Sequence, residues 1–100
     1  MPPMVQTNID LDGLDDELKA LPFKGTTGIE FRTPTGGVLI GSLRITRQAG
    51  DVFQVEGFSA KETPLRALDA ELYSAWSVAR WVKSCREFLD YITSGAGGIT

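Results

Sequence analysis

The hydrophobic pattern of this chain changes period twice, and each change marks an element. Leu11, Leu14, Leu18 and Leu21 recur every three or four residues, the spacing of one face of an α-helix. Asp12 stands at the N-cap position, Asp15 and Asp16 set negative charge against the exposed N–H groups of the first turn, and Pro22 stops the helix. The pattern predicts a short helix from about Gly13 to Leu21. A helix this short is marginal alone in water, so its leucines need the body of a domain to pack against. Residues 1 to 8 contain Pro2 and Pro3, show no apolar period and read as a flexible leader.

From Gly28 to Phe58 the period is two. Ile29 and Phe31 alternate with Glu30 and Arg32, Leu43 and Ile45 with Arg44 and Thr46, and Phe53 and Val55 with Gln54 and Glu56. Pro34-Thr35-Gly36-Gly37 and Gln48-Ala49-Gly50-Asp51 supply turn residues between these runs, so the economical topology is a three-stranded antiparallel meander. Its second face is not cleanly polar, because Val38, Ile40, Val52 and Phe58 fall on the side of Arg44, Gln54 and Glu56. The acidic N-terminal helix is expected to cover that end.

The last third reads as helix from Pro64 to about Thr93, with Thr63 as N-cap and Pro64 at the first helical position. Such a rod would reach roughly 45 Å, far beyond what a strand of six or seven residues covers. Its apolar positions also disagree. Leu65, Leu68, Leu72, Trp76 and Ala79 point one way, whereas Val78, Trp81, Val82, Cys85, Phe88, Leu89 and Ile92 form a stripe turned by about 140° at about 100° per residue. Arg80, Lys83, Glu87 and Asp90 take the direction the first stripe used. One straight helix on one flat sheet cannot bury both stripes. Either the chain bends or breaks near residues 74–77, or the second stripe packs on another molecule. After Thr93, a Gly-rich tail of residues 94–100 is expected to be flexible.

Composition agrees with one small α+β domain over residues 9–93. The 100 residues are 42% hydrophobic and 23% charged, enough apolar surface for one core and too little chain for two. The net charge of −3 comes from the first 27 residues, where five acids face Lys19 and Lys24; the remainder is neutral. That balance gives no general reason to bind a polyanion, which requires clustered Lys and Arg. No run approaches the roughly 20 apolar residues of a membrane span. A single cysteine and the absence of a signal-peptide pattern lead to the expectation of a cytoplasmic protein.

The chemistry of catalysis is sparse. The chain has no histidine, which removes the commonest general base and zinc ligand. Cys85 lies between Val82 and Phe88 on an apolar stripe and reads as a core thiol. The acidic stretch from Asp10 fails calcium-loop spacing, with Leu14 at the fifth position and Leu21 at the twelfth. Gly36-Gly37 lacks the lysine and following helix of a phosphate-binding loop. No enzyme, cofactor or metal is implied.

Two sets of residues stand out. Trp76 and Trp81, with Arg80 between them, flank the point where the stripe turns, as hinge-filling core or as anchors for a protein partner or a second copy. Arg32, Arg44 and Arg47 on adjacent strands form a candidate nucleic-acid-binding patch, against which stands pairing with Glu30 and Glu56. The order of three strands then helix is shared with double-stranded-RNA-binding domains and other small nucleic-acid-binding folds, but the basic residues those use are sparse here. The expectation is a small non-enzymatic interaction or regulatory module that binds a protein through its helical or open sheet face. The alternative is a nucleic-acid binder acting through the sheet arginines.

Overall fold

A computed structural model describes residues 4–93. The expected tail over 94–100 and the first three residues of the expected leader lie outside the described residues. The fold is α+β, with a five-stranded antiparallel sheet and two helices. The chain runs β1 (Gln6–Thr7), a 3-10 turn (Leu11–Gly13), α1 (Leu14–Lys19), β2 (Thr26–Arg32), β3 (Leu39–Ala49), β4 (Val52–Ser59), a second 3-10 turn (Arg66–Leu68), β5 (Ala70–Tyr73) and α2 (Ala75–Thr93). The strands lie side by side in chain order.

The three central strands follow from the period of two. Ile29 opposes Leu43, and Ile45 opposes Val55, so alternate residues of β2, β3 and β4 meet on one face. Together with Phe31 and Phe53 they are buried against Leu11, Leu14, Leu18, Val78 and Val82 in one core. Gly36 and Gly37 take positive φ in the β2–β3 turn and Gly50 in the β3–β4 turn, backbone conformations open to glycine.

Four expectations are corrected. First, α1 does not cover the second face of the sheet. It packs beside α2 on the same face, where Leu14 and Leu18 complete the core and Lys83 meets Asp12 at 3.4 Å. The reason is that one set of apolar faces on β2–β4 can be sealed only by both helices together. The second face stays open. Ile40 leaves that face, because a bulge opposite Phe31 and Arg32 shifts the alternation and packs its side chain against the core.

Second, the segment from Pro64 is not helix. Pro64 forms an antiparallel bridge with Phe58, and the Leu65 N–H donates to Gly57 O at 2.8 Å. Ala70 to Tyr73 then pair with Val55 to Val52 as a fifth strand. A helix here would leave the outer edge of β4 without partners, and unpaired backbone groups at a buried edge are costly. Ala70 and Leu72 turn inward while Glu71 and Tyr73 turn out, a short alternation inside the leucine spacing.

Third, the break falls at Ser74, within the expected window, but it separates strand from helix. Ser74 has φ of 76°, its hydroxyl accepts from the Ser77 N–H at 3.2 Å, and its own N–H donates to Asp51 O at 2.6 Å. It is the N-cap of α2. Fourth, residues 5 to 8 are tied down, not loose. Val5 is buried, and its N–H donates to the Asp90 carboxylate. The Asn8 side chain donates to Gly28 O at 3.0 Å and accepts from the Glu30 N–H at 2.8 Å, standing in for a strand residue along the edge of β2.

The position of α1 is testable. Leu18→Ala is expected to cost about 2–5 kcal/mol, the range for truncating a fully buried leucine. Urea denaturation should show a lower midpoint with an unchanged slope; a loss under about 1 kcal/mol would place this helix outside the core.

Candidate functional site

Helix α2 divides by its own geometry. Val78 and Val82 are fully buried, and Cys85 and Leu89 pack against the same core, so one side of the rod faces the sheet. At about 100° per residue, Trp76 and Arg80 project from the other side. Trp76 is 60% exposed, an unusual condition for the largest apolar side chain. Arg80, one turn on, lays its guanidinium 4.8 Å from the centre of the indole ring. The four-residue spacing brings the two together, and the stack holds a long, mobile cation in one place. The Ser74 cap fixes the first turn and so sets the direction in which the indole leaves the helix.

The candidate partner-binding trio therefore separates. Trp76 and Arg80 form one exposed unit, whereas Trp81 is partly buried against the core and its buried Nε1 has no hydrogen-bond partner among the described residues. Five residues of helix turn Trp81 about 140° from Trp76. Trp81 instead forms one wall of an apolar groove of 380 Å³ between α2 and the segment that follows β4, with Ile40, Leu65, Leu68, Cys85 and Phe88 among its other walls. Phe88, which the helical pattern assigns to the buried stripe, sits at the margin of that stripe and is 63% exposed. Burial raises the Cys85 thiol above its ordinary value and holds it in the neutral form.

The arginine set separates too. Arg32 meets Glu30 at 3.3 Å and also donates to Gly37 O at 2.9 Å. Arg44 lies 4.0 Å from Glu56 and 4.8 Å from the centre of the Phe58 ring. These two stand on the open face, each beside a carboxylate. Arg47 is on the other side of the sheet, where its guanidinium donates to the carbonyls of Lys19, Leu21 and Gly50 at 3.0, 2.7 and 2.7 Å. It ties the end of α1 to the β3–β4 turn. Arg47 was grouped with the others as one patch, but it shares the alternation of Leu43 and Ile45, and its cross-strand partner is the buried Phe53.

A second hollow of 530 Å³ lies on the open face above Gly28 and Ser42, bordered by Asn8, Glu30, Arg44 and Glu62. Ser42 has no histidine in the chain to take its proton. Sequence reasoning did not foresee the apolar groove, because Leu65 and Leu68 were assigned to a helix face; the only available signal was Pro64, which permits a bridge as readily as a helix start.

Comparison with protein-family models, with curated proteins and with solved structures finds no match for this chain. Among the described residues no helix is long and apolar enough to cross a membrane. What is defined is a small compact α+β domain with an exposed aromatic–cation pair on its long helix.

Two outcomes are expected. Trp81→Ala should cost about 3 kcal/mol, in line with removing a large packed aromatic, while Trp76→Ala should shift stability by no more than about 0.5 kcal/mol; equal losses in thermal or urea unfolding would contradict the separation of the two indoles. The Cys85 thiol, with its folded value raised, contributes stability that is whole below the unfolded thiol's value and disappears as pH rises through the folded one. Iodoacetamide at neutral pH should label the native protein at least about tenfold more slowly than the urea-unfolded chain, and equal rates by mass spectrometry would place the thiol in water.

Proposed function

We propose that this chain is a small non-enzymatic interaction module of the cytoplasm that binds a protein partner, a second copy of itself included, through the outer face of α2. The observation that carries this reading is the exposed Trp76 indole with Arg80 stacked on it. Trp and Arg are the side chains that most often dominate the energetics of protein interfaces, and here the two hold each other in position before any partner arrives. Tyr91, 56% exposed, and Phe88 extend the aromatic surface along the same helix. A globular domain has no folding reason to leave this much aromatic surface in water.

The sheet face supports a polyanion less well. Arg32 and Arg44 stand beside Glu30 and Glu56, so a phosphate would have to displace a carboxylate at each. Arg47 is committed to three carbonyls.

The test compares wild type with the Trp76→Ala/Arg80→Ala double variant as immobilised bait in extract of the protein's own cells. Proteins held by wild type, further copies of the chain among them, should be lost at least about thirtyfold by the double variant, the effect of about 2 kcal/mol at an interface hot spot, with unchanged circular dichroism and melting. An identical set of retained proteins on both baits would remove the helix face from consideration.

A further inference from the structure

Beyond the stacked pair, the outer face of α2 carries a self-complementary charge pattern. At about 100° per residue, Trp76, Arg80, Ser84, Glu87 and Tyr91 fall within about 80° of one another, on the side away from Val78 and Val82. All five are exposed. Arg80 and Glu87 are seven residues apart, so they share this face but stand about 10 Å from each other along the axis, too far to pair within one helix. The residues three and four positions from Arg80 are Trp76, Ser77, Lys83 and Ser84, none of them acidic. The one cation at such a distance from Glu87 is Lys83, which is turned to Asp12. Among the described residues neither Arg80 nor Glu87 has an ion-pair partner.

We propose, resting on the reading that the outer face of α2 is the binding surface, that its partner is a second copy of this chain, packed with the two α2 helices antiparallel about a two-fold axis near residues 83 and 84. In that arrangement Arg80 of each copy faces Glu87 of the other, and Trp76 of each faces Tyr91 of the other. The axis passes beside Ser84, whose small side chain lets the helices approach closely. The Arg80 guanidinium, held 4.8 Å from the indole centre, keeps N–H donors that a carboxylate can engage through two parallel hydrogen bonds. Every contact occurs twice, as an isologous interface requires. A single helix pair buries on the order of 1,000 Å² in total, the low end for specific interfaces, so the dimer is concentration-dependent.

Charge exchange tests the geometry by sedimentation equilibrium from about 1 to 500 μM. Wild type should dimerise across that range. Arg80→Glu alone and Glu87→Arg alone should each weaken self-association at least tenfold, since each sets like charges opposite one another. An equimolar mixture of the two should form a heterodimer, because it restores both pairs, and the Arg80→Glu/Glu87→Arg double variant should again dimerise alone. These substitutions are at exposed positions, so circular dichroism spectra should match that of wild type. A wild type that stays monomeric at 500 μM, single reversals that dimerise as well as wild type, or a mixture that fails to pair would each overturn the dimer. If instead the chain is monomeric while the double alanine variant still loses a captured protein, the helix face remains a binding surface and only its occupant is wrong.

Discussion

The outer edge of β4 organises the second half of this molecule. An eight-residue strand in the middle of the chain exposes a row of backbone donors and acceptors on the side away from β3, and the chain must supply their partners. It does so twice. Pro64 and Leu65 turn back on Phe58 and Gly57, and Ala70–Tyr73 pairs along Val52–Val55. Gly57 is part of this fit: a Cβ there would lie 2.7 Å from Leu68 Cβ, so the close passage of the returning chain depends on a residue without a side chain. Because β5 runs until Tyr73, the helix cannot start before Ser74 closes the strand, and the register of β4 thereby sets which residues of α2 face the core.

That dependence explains what was legible in the sequence. The three central strands were legible, because Ile29, Phe31, Leu43, Ile45, Phe53 and Val55 are each buried on one face and their neighbours are not. The short N-terminal helix was visible for the same reason, although Asp12 does not cap it: Gly13 holds the N-cap position of α1 without a side-chain bond, and Asp10 caps the 3-10 turn that precedes it. The fifth strand was not visible. Leu65, Leu68 and Leu72 fit a helical spacing as well as any real helix, and the competing alternation spans only four residues. What decides between them is the unpaired edge of β4, a partner distant in sequence. With Leu72 drawn into the sheet, the stripe that seemed to bury Trp76 ceases to exist, and the indole is left outside. The residue types of the candidate site were therefore readable, and the helical and strand periods already set Trp81 apart from Trp76 and Arg47 apart from Arg44; which of the two indoles is exposed depended on the strand that Leu72 joins.

The charges sort by location in a way that bears on function. On the open sheet face arginines sit beside carboxylates, Lys83 holds Asp12 across the two helices, and Arg47 satisfies carbonyls at the end of α1. These contacts engage four of the ten basic residues, among them all three arginines of the central strands. Surface pairs of this kind contribute little stability, so their main effect is on what the surface attracts. Arg44 also lies near a ring, that of Phe58, but it stands beside Glu56 as well, whereas Arg80 has, among the described residues, no carboxylate within ion-pair distance.

The Asn8 side chain bears on assembly as well as on folding. β1 is two residues long, and the amide beyond it occupies Gly28 O and the Glu30 N–H, so that rim of the sheet offers an incoming strand no continuous template. A strand arriving at that rim would first have to displace this amide from both backbone groups, so the Asn8 side chain guards the sheet against edge-to-edge addition there.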